Sequence, residues 1–589
     1  MFPFKRNEKQ KTQYKGFTLK ERLIPVILVA LALSFTVFVF GPFDIYGANA
    51  NQFGFSLTDF LGWNLLYALV AAGIVCAVLL PLRKRIFDVA FALFFWLALM
   101  LMVQGNYLNF GVSSLAGDGV GADGFSMGKL LLNCAIWLAV GIACVAAVLL
   151  IRQKHREWIR TVSTVAMITV IGMQALTLAV TSMTSDVWAK KTPDDQLTLL
   201  TYENLNHVGS EHNVIWFVID RFDVDYYEKY ALKECPEIFY NLDGFTYYDN
   251  TVSLYTRTFP SVPYMLTGVE HDYQDARIDY FADAYSNSNF LKLLKENDYS
   301  VNIYTERYYC YEDAIPFEGY ISNASKIKEV KTVKKPLLAK DMLRVSLYRY
   351  LPMVAKELTG DISTPQFEKY LDYGTQFPVF SGDMKNAYDF LDQNPMAVAN
   401  GKNNFAFIHI SGCHLPNQYN QDFSPVTPEE RDSVASAMIQ SFKIINRYID
   451  QLKELGLYEN ATIIISGDHG NADPSMPMTR APVPALFVKR SGSTGTGIVT
   501  SHAPVTQGDI IPAILESEGI EATLDFGRSL FDVKEGEHRV RICKFDDWKE
   551  DDSGQRNDEV FIFEITGDAR DLKNWKLLSR GEFIGYYLD

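Results

Sequence analysis

The sequence predicts an α/β domain with a mainly parallel sheet between helices, set behind an N-terminal block of five transmembrane helices. Three observations carry this. Overall hydrophobic content is an ordinary 48%, yet the apolar blocks crowd into the first third of the chain. From Asn213 onward short apolar runs alternate with helical patterns, the mark of a sheet covered on both faces. Three of those runs end in acidic or histidine residues, and ligands of such sheets bind at the strand C-termini. At 589 residues the chain exceeds what one core usually holds. The expected division is a membrane domain over 1–184, a juxtamembrane linker over 185–212, the α/β domain over 213–530 and a small β-rich subdomain over 531–589.

Windows near 23–41, 64–82, 86–104, 130–151 and 161–182 each approach the ~20 apolar residues that cross a bilayer. One such window alone reads equally well as a buried core helix, but five in succession with few charges predict a membrane domain. Basic residues precede the first window (Lys5, Arg6, Lys9, Lys11, Lys15, Lys20, Arg22) and join the second to the third (Arg83, Lys84, Arg85) and the fourth to the fifth (Arg152, Lys154, Arg156, Arg160). The connections at 42–62 and 105–128 contain no Lys or Arg. By the positive-inside rule the N-terminus is expected in the cytoplasm and everything after about 185 outside the cell membrane. The first apolar segment is long and lacks a small-residue cleavage site, so no cleavable signal peptide is expected.

Beyond the linker, apolar strands are expected at Asn213–Ile219, Ser300–Thr305, Asn404–Ser411 and Ala461–Ser466. Thr427, Pro428 and Glu430 form a capping-box pattern that predicts a helix continuing through Val434, Met438, Phe442, Ile445, Ile449 and Leu452, with Gly456 as its stop. Basic, proline-punctuated residues 326–400 read as an insertion covering the site mouth; a charge run there is either a solvated face or an attraction to anionic lipid headgroups. Val560–Ile565 and Glu582–Leu588 read as antiparallel strands of the terminal subdomain.

The net charge of −15 argues against nucleic-acid partners. Of seven cysteines, Cys76, Cys134 and Cys144 fall in apolar windows, and Cys235, Cys310, Cys413 and Cys543 are scattered without a CxxC, so neither a zinc ribbon nor a dense disulfide framework is implied.

The chemistry centres on Tyr255–Gly268. Thr258 stands just before Ser261-Val-Pro-Tyr-Met-Leu266, the predicted opening of a helix in which Pro260 and Pro263 are tolerable only in the first turn. Free N–H groups and the macrodipole at such an end favour an alkoxide or a bound anion, so Thr258 reads either as a helix cap or as a nucleophile. The strand ends supply Asp220, then Gly412-Cys-His414-Leu-Pro416, then Gly467-Asp468-His469-Gly470.

Together these motifs resemble the alkaline phosphatase and sulfatase superfamily, in particular its lipoteichoic acid synthase and phosphoethanolamine transferase branches. Thr258-Phe-Pro-Ser-Val-Pro-Tyr-Met is similar to the transferases' nucleophile motif, and the resemblance covers roughly residues 205–530. It implies Asp220, Thr258, Asp468 and His469 as ligands of one divalent metal ion, Mn²⁺ or Zn²⁺, a choice that the oxygen-rich donor set also suits. It implies Thr258 as a metal-activated nucleophile and His414 as the histidine that contacts the phosphate or protonates the leaving group. His409, inside a strand, reads as a core residue.

Two departures bear on the reaction. Sulfatases require Cys or Ser for oxidation to formylglycine and usually an Arg four residues on, where this chain has Thr258 and Val262. After His469 no second histidine follows nearby, so a single ion is expected. The leading reading is a phosphotransferase moving a phospho-headgroup from a membrane lipid donor to a cell-surface glycan or polymer acceptor through a phosphothreonine. The alternatives are a sulfatase-like hydrolase, either phosphodiesterase or sulfuric ester hydrolase, and a non-catalytic membrane scaffold.

Overall fold

Near-continuous apolar runs bury both of their faces, and in the computed structural model they form the centre of a seven-stranded sheet. The structure describes residues 16–582 apart from 49, 51–52, 110–126, 152–154, 186, 190–197, 308–310, 312–319, 327–331, 360–366, 368–369, 400, 523–526 and 551–555. Two units emerge, one of 1–192 with 330–373 and one of 193–329 with 374–589.

In the second unit the sheet strands are β1 (His212–Ile219), β2 (Phe245–Tyr248), β3 (Tyr299–Tyr304), β4 (Asn403–Ile410), β5 (Ala461–Gly467), β6 (Leu486–Lys489) and β7 (Ile498–Ser501). Their order is β7-β2-β6-β5-β1-β4-β3, and only β6 runs against the rest. The register sets Ile410 and Gly467 on either side of Ile219, so the residues that follow all three strands emerge at one edge. Side chains alternate between two cores: Ile215, Phe217 and Ile219 face one, Val214, Trp216 and Val218 the other. Helix α6 (Thr258–Thr267) contributes Phe259, Val262, Met265 and Leu266 to the second. Helix α7 (Val434–Glu454) contributes Met438, Phe442, Ile445, Ile449 and Leu452 to the first, at about 1.5–3 kcal/mol per buried side chain.

The predicted start of α7 is corrected. Pro428–Arg431 forms a separate turn, and the long helix is capped by Ser433, whose hydroxyl accepts from the Ser436 N–H at 3.1 Å. Glu430 does not close the expected box; its carboxylate accepts from the Gln421 N–H and the Ser436 hydroxyl. Gly456 ends the helix at φ +70° as expected.

The C-terminal strands β8 (Val540–Glu550), β9 (Arg556–Thr566) and β10 (Trp575–Glu582) form an antiparallel sheet. Of the strand expected over Glu582–Leu588, all but Glu582 lies outside the described residues. Cys543, Phe545, Phe563 and Ile565 join the first core. Among the described residues Cys76, Cys134, Cys144, Cys235, Cys413 and Cys543 are free thiols.

One connection is sterically critical. Gly412 follows β4 at φ +42°, and a Cβ there would overlap Ile219 Cγ2 and stand 3.1 Å from the Asp220 nitrogen. Gly412→Ala is expected to lower stability by about 2–3 kcal/mol, read as a fall in Tm, because the end of β1 cannot yield without moving Asp220.

The other unit contains five helices long and apolar enough to cross a membrane: α1 (Leu19–Ala48, with a π-helical stretch at Phe35–Phe40), α2 (Leu57–Leu79), α3 (Lys84–Tyr107), α4 (Met127–Leu150) and α5 (Arg156–Thr184). Several buried polar groups inside it pair with one another, while both side-chain polar atoms of Asn64 have no hydrogen-bond partner. Gln174 bonds Thr36, and Gln104 accepts from Asn133 and Trp137, as the lack of water within such a bundle requires. Of the segment 326–400 expected as an insertion, residues 330–373 belong to this helical unit, through the helix Lys335–Tyr350. Its Leu338, Met342 and Val345 are buried with Phe43, Tyr46 and Phe60, so apolar burial decides its place where its charges suggested a solvated cover.

Candidate active site

At the shared edge the chain turns sharply after β1. Arg221 adopts φ +57°, its N–H donates to Asp468 Oδ1 at 2.9 Å, and its guanidinium donates to Asn471 Oδ1 at 2.8 Å. The next carboxylate, Asp223, accepts the Asn471 N–H at 2.8 Å, so the turn after β1 and the turn after β5 are laced together. Gly467 permits this closeness, since a Cβ there would run into the Phe222 carbonyl.

Helix α6 brings Thr258 to the same place. Phe259 and Pro260 are non-helical, so the regular turns begin near Ser261 as the prolines predicted. Ser261 donates to the Asp468 carbonyl, and Gln507 donates to the carbonyls of Gly467 and Asp468 at 2.8 and 2.6 Å. The Thr258 hydroxyl donates to Asp220 Oδ2 at 3.3 Å. It thus points into the carboxylates, where a helix cap would turn back on its own backbone.

Asp220, Thr258, Asp468 and His469 are all buried, at 6, 7, 0 and 4% exposure, and the structure brings the four together. One ligand atom each from Asp220, Asp468 and His469 lies within 4.8 Å of the others. His469 Nε2 stands 3.4 Å from Asp468 Oδ2 and 3.9 Å from Asp220 Oδ1, and those two oxygens have no hydrogen-bond partner. The second oxygen of each carboxylate is already used, by Thr258 and by the N–H groups of Arg221 and His469. His469 Nδ1 lies 2.7 Å from the Gly470 carbonyl, which fixes the proton on Nδ1 and leaves the Nε2 lone pair facing the two orphaned oxygens.

This arrangement fits a divalent cation. Two ionised carboxylates buried side by side cost several kcal/mol each unless a positive charge meets them. The imidazole does not supply it, because burial, with Arg221 and Arg257 adding repulsion, pushes His469 down to about 3. Burial and the neighbouring Asp468 charge raise Asp220 well above the usual carboxylate range, and burial raises Asp468 as well. Buried oxygen and imidazole donors aimed at one point are what metal ligation requires.

His414 is half-buried, in the turn after β4. Burial, then the charges of Arg221, His469 and Arg257, push it down to about 3, so it is a neutral imidazole at neutral pH. His409 is core as expected, with Nδ1 3.0 Å from the Thr305 hydroxyl.

Sequence reasoning missed three groups. Arg221 and Arg257 directly follow and precede the chosen Asp220 and Thr258, and their charges reach both His414 and His469. Arg257 is held by the carbonyls of Pro474 and Asp546 at 3.2 and 3.4 Å, so the C-terminal sheet helps to place it. Glu306 lies two residues beyond β3, and burial with the Asp383 charge raises it to about 8. The strand-end rule that found Asp220 and Asp468 also points to Glu306.

A family model described as Sulfatase matches residues 212–520. Similar solved structures include Ps i-CgsB in complex with k-i-k-neocarrahexaose, at 13% identity over 63% of this chain and 86% of that one, with a TM-score of 0.40. A protein in the alkaline phosphatase superfamily from Vibrio parahaemolyticus gives 14% over 65% and 84%, with a TM-score of 0.34. The phosphonate monoester hydrolase SpPMH from Silicibacter pomeroyi gives 13% over 62% and 88%, with a TM-score of 0.35. No curated protein matches the chain. The family match spans the sheet from β1 past β7 and contains every residue of the buried cluster, over just over half of the chain, and on that ground the protein belongs to the sulfatase family.

Proposed function

We propose that this protein is a membrane-anchored, metal-dependent phosphotransferase that moves a phospho-headgroup from a lipid donor to a cell-surface glycan or polymer, with its sulfatase-family unit on the outer side of the cell membrane. The observation that carries the reading is the Thr258 hydroxyl, buried and donating to Asp220 beside Asp468 and His469. Asp220, Asp468 and His469, with the Thr258 hydroxyl, would hold a single Mn²⁺ or Zn²⁺ ion, whose positive charge would favour the ionised form of that hydroxyl.

The chain's own residues do the rest. Asp220 orients the hydroxyl and accepts its hydrogen bond. The Thr258 oxygen, its proton released to solvent, then attacks phosphorus, the bond to the diacylglycerol oxygen breaks as that oxygen takes up a proton, and a phosphothreonine diester forms. An acceptor hydroxyl takes the group in the second step and the threonine is regenerated. Arg221 and Arg257 offer positive charge to the phosphoryl oxygens without either becoming a ligand. His414 rests neutral, and an anionic phosphoryl group beside it raises its proton affinity, which suits it to deliver a proton to the leaving oxygen.

Formylglycine-type sulfate ester hydrolysis does not suit the site. Thr258 carries a methyl group where oxidation must yield an aldehyde. Val262 provides no cation where sulfatases usually place Arg. Five helices able to cross a bilayer, joined to the same chain, favour a lipid donor by raising its local concentration.

The test is intact-mass analysis of the full-length protein after incubation with phosphatidylglycerol or phosphatidylethanolamine. The expected result is an adduct on Thr258 whose mass names the headgroup. Release of free headgroup phosphate with no modified acceptor would assign hydrolysis instead. His414→Ala is expected to slow adduct formation by about 10²–10⁴-fold while leaving metal content unchanged, measured by single-turnover kinetics and elemental analysis.

A further inference from the structure

Between the two stretches that build the sulfatase-family unit, the chain gives residues 330–373 to the helical unit. The helix Lys335–Tyr350 is seated there by specific contacts. Ser346 donates to the Val37 carbonyl at 2.6 Å, Arg349 pairs with Asp44 at 2.6 Å, and Asn133 Oδ1 accepts the Met353 N–H at 3.0 Å. The Tyr350 ring packs where Gly41 and Gly105 leave room, since a Cβ at either glycine would overlap it. Asp44, Gly105 and Asn133 lie toward the ends of α1, α3 and α4 that lead into or out of the connections lacking Lys and Arg. Most of these contacts therefore lie toward the end of the bundle opposite the basic connections.

At that level the segment leaves apolar side chains uncovered. Leu337 is 48% exposed, Val354 61% and Leu358 84%. Exposing three such side chains to water forfeits several kcal/mol that burial returns. The segment 334–359 also carries six basic residues against two acidic ones. Lys335, Arg344 and Arg349 pair with Asp59, Asp341 and Asp44, and Lys356 binds the carbonyls of Tyr348 and Arg349 at the helix end. Lys334 and Lys340 remain on the exposed side with Leu337. Uncovered leucine and valine beside outward lysines, on a segment paired through Lys335 and Asp59 to the apolar helix α2, is the pattern of an element lying in a membrane interface.

We propose that residues 334–359 form a lipid-seated element: Leu337, Val354 and Leu358 enter the acyl boundary of the leaflet at that end of the bundle, and Lys334 and Lys340 take the phosphates of anionic phospholipids. This goes beyond the transferase reading and does not depend on it. The phospholipid headgroup layer is the occupant because the segment packs on a bundle of helices long and apolar enough to cross a membrane and its excess charge is positive.

Photocrosslinking tests it. Full-length protein carrying p-benzoylphenylalanine in place of Leu358, and separately of Val354, is placed in nanodiscs of phosphatidylglycerol and phosphatidylcholine and irradiated, with Leu69 as the lipid-facing control and Leu455, an exposed leucine of the other unit, as the water-facing one. Lipid adducts are expected at 358, 354 and 69 and not at 455. Adducts at 69 alone, or adducts at 358 and 354 with protein in place of lipid, overturn the proposal. Lys334→Gln combined with Lys340→Gln is expected to lower the ratio of phosphatidylglycerol to phosphatidylcholine adducts at 358 roughly tenfold. An unchanged ratio overturns the headgroup assignment.

Discussion

Thr258→Ala is expected to abolish headgroup transfer, lowering turnover by about four orders of magnitude or more, because the group that forms the covalent intermediate is lost while binding and charge stabilisation remain. The substitution removes one hydroxyl donated to Asp220 and leaves α6 anchored through Ser261 and Gln507. The Tm is therefore expected to stay near that of the parent. Thr258→Ser, which keeps the oxygen, is expected to retain measurable adduct formation. Parental turnover of lipid donor by Thr258→Ala would falsify the nucleophile assignment, and with it the phosphothreonine route.

The second large effect concerns Asp468→Asn. The orphaned Oδ2 of Asp468, 3.4 Å from His469 Nε2, becomes neutral or is replaced by an amide N–H group, which opposes a cation. Metal affinity, read by titration calorimetry, is expected to fall by more than the roughly 10–100-fold that loss of an outer-shell partner costs. The same site makes binding depend on pH. Asp220 and Asp468 are raised above the ordinary carboxylate range by burial, with Asp468 also repelling the charge on Asp220, so the metal-free pair retains protons that a cation must displace. Affinity is expected to rise with pH, with protons released on binding, and a pH-independent affinity would count against these ligands.

Folding without metal carries the opposite linkage. A carboxyl raised in the folded state stabilises it below the unfolded value near 4 and loses that contribution as pH rises through the folded value, about 7 for Asp223 and about 8 for Glu306. Imidazoles pushed down, to about 4 for His409 and about 3 for His414, act at the acid side: stability falls as pH drops below about 6.5, where only the unfolded chain takes up the proton.

How far the sequence speaks depends on whether a feature is local. Strands β1, β4 and β5 were legible because a strand buried on both faces needs an unbroken apolar run, and the first acidic residue past it marks the edge. The break between Pro428–Arg431 and Val434–Glu454 was not legible, because the capping box is a local pattern and Glu430 is drawn to Gln421 and Ser436 instead. Arg257 illustrates the same limit: its importance comes from Pro474 and Asp546, which no spacing connects to it.

By itself the sequence determined the apolar helices, the strand-ending carboxylates and a threonine at the head of a helix, since each follows from a run or a neighbour within a few residues. Only the tertiary structure decided that two carboxylate oxygens are left unpaired beside one imidazole nitrogen, and that the Lys335–Tyr350 helix belongs with the apolar bundle. The physical reason is the same for both. Satisfaction of a polar atom and burial of an apolar face are settled by groups tens to hundreds of residues away, and only folding brings those together.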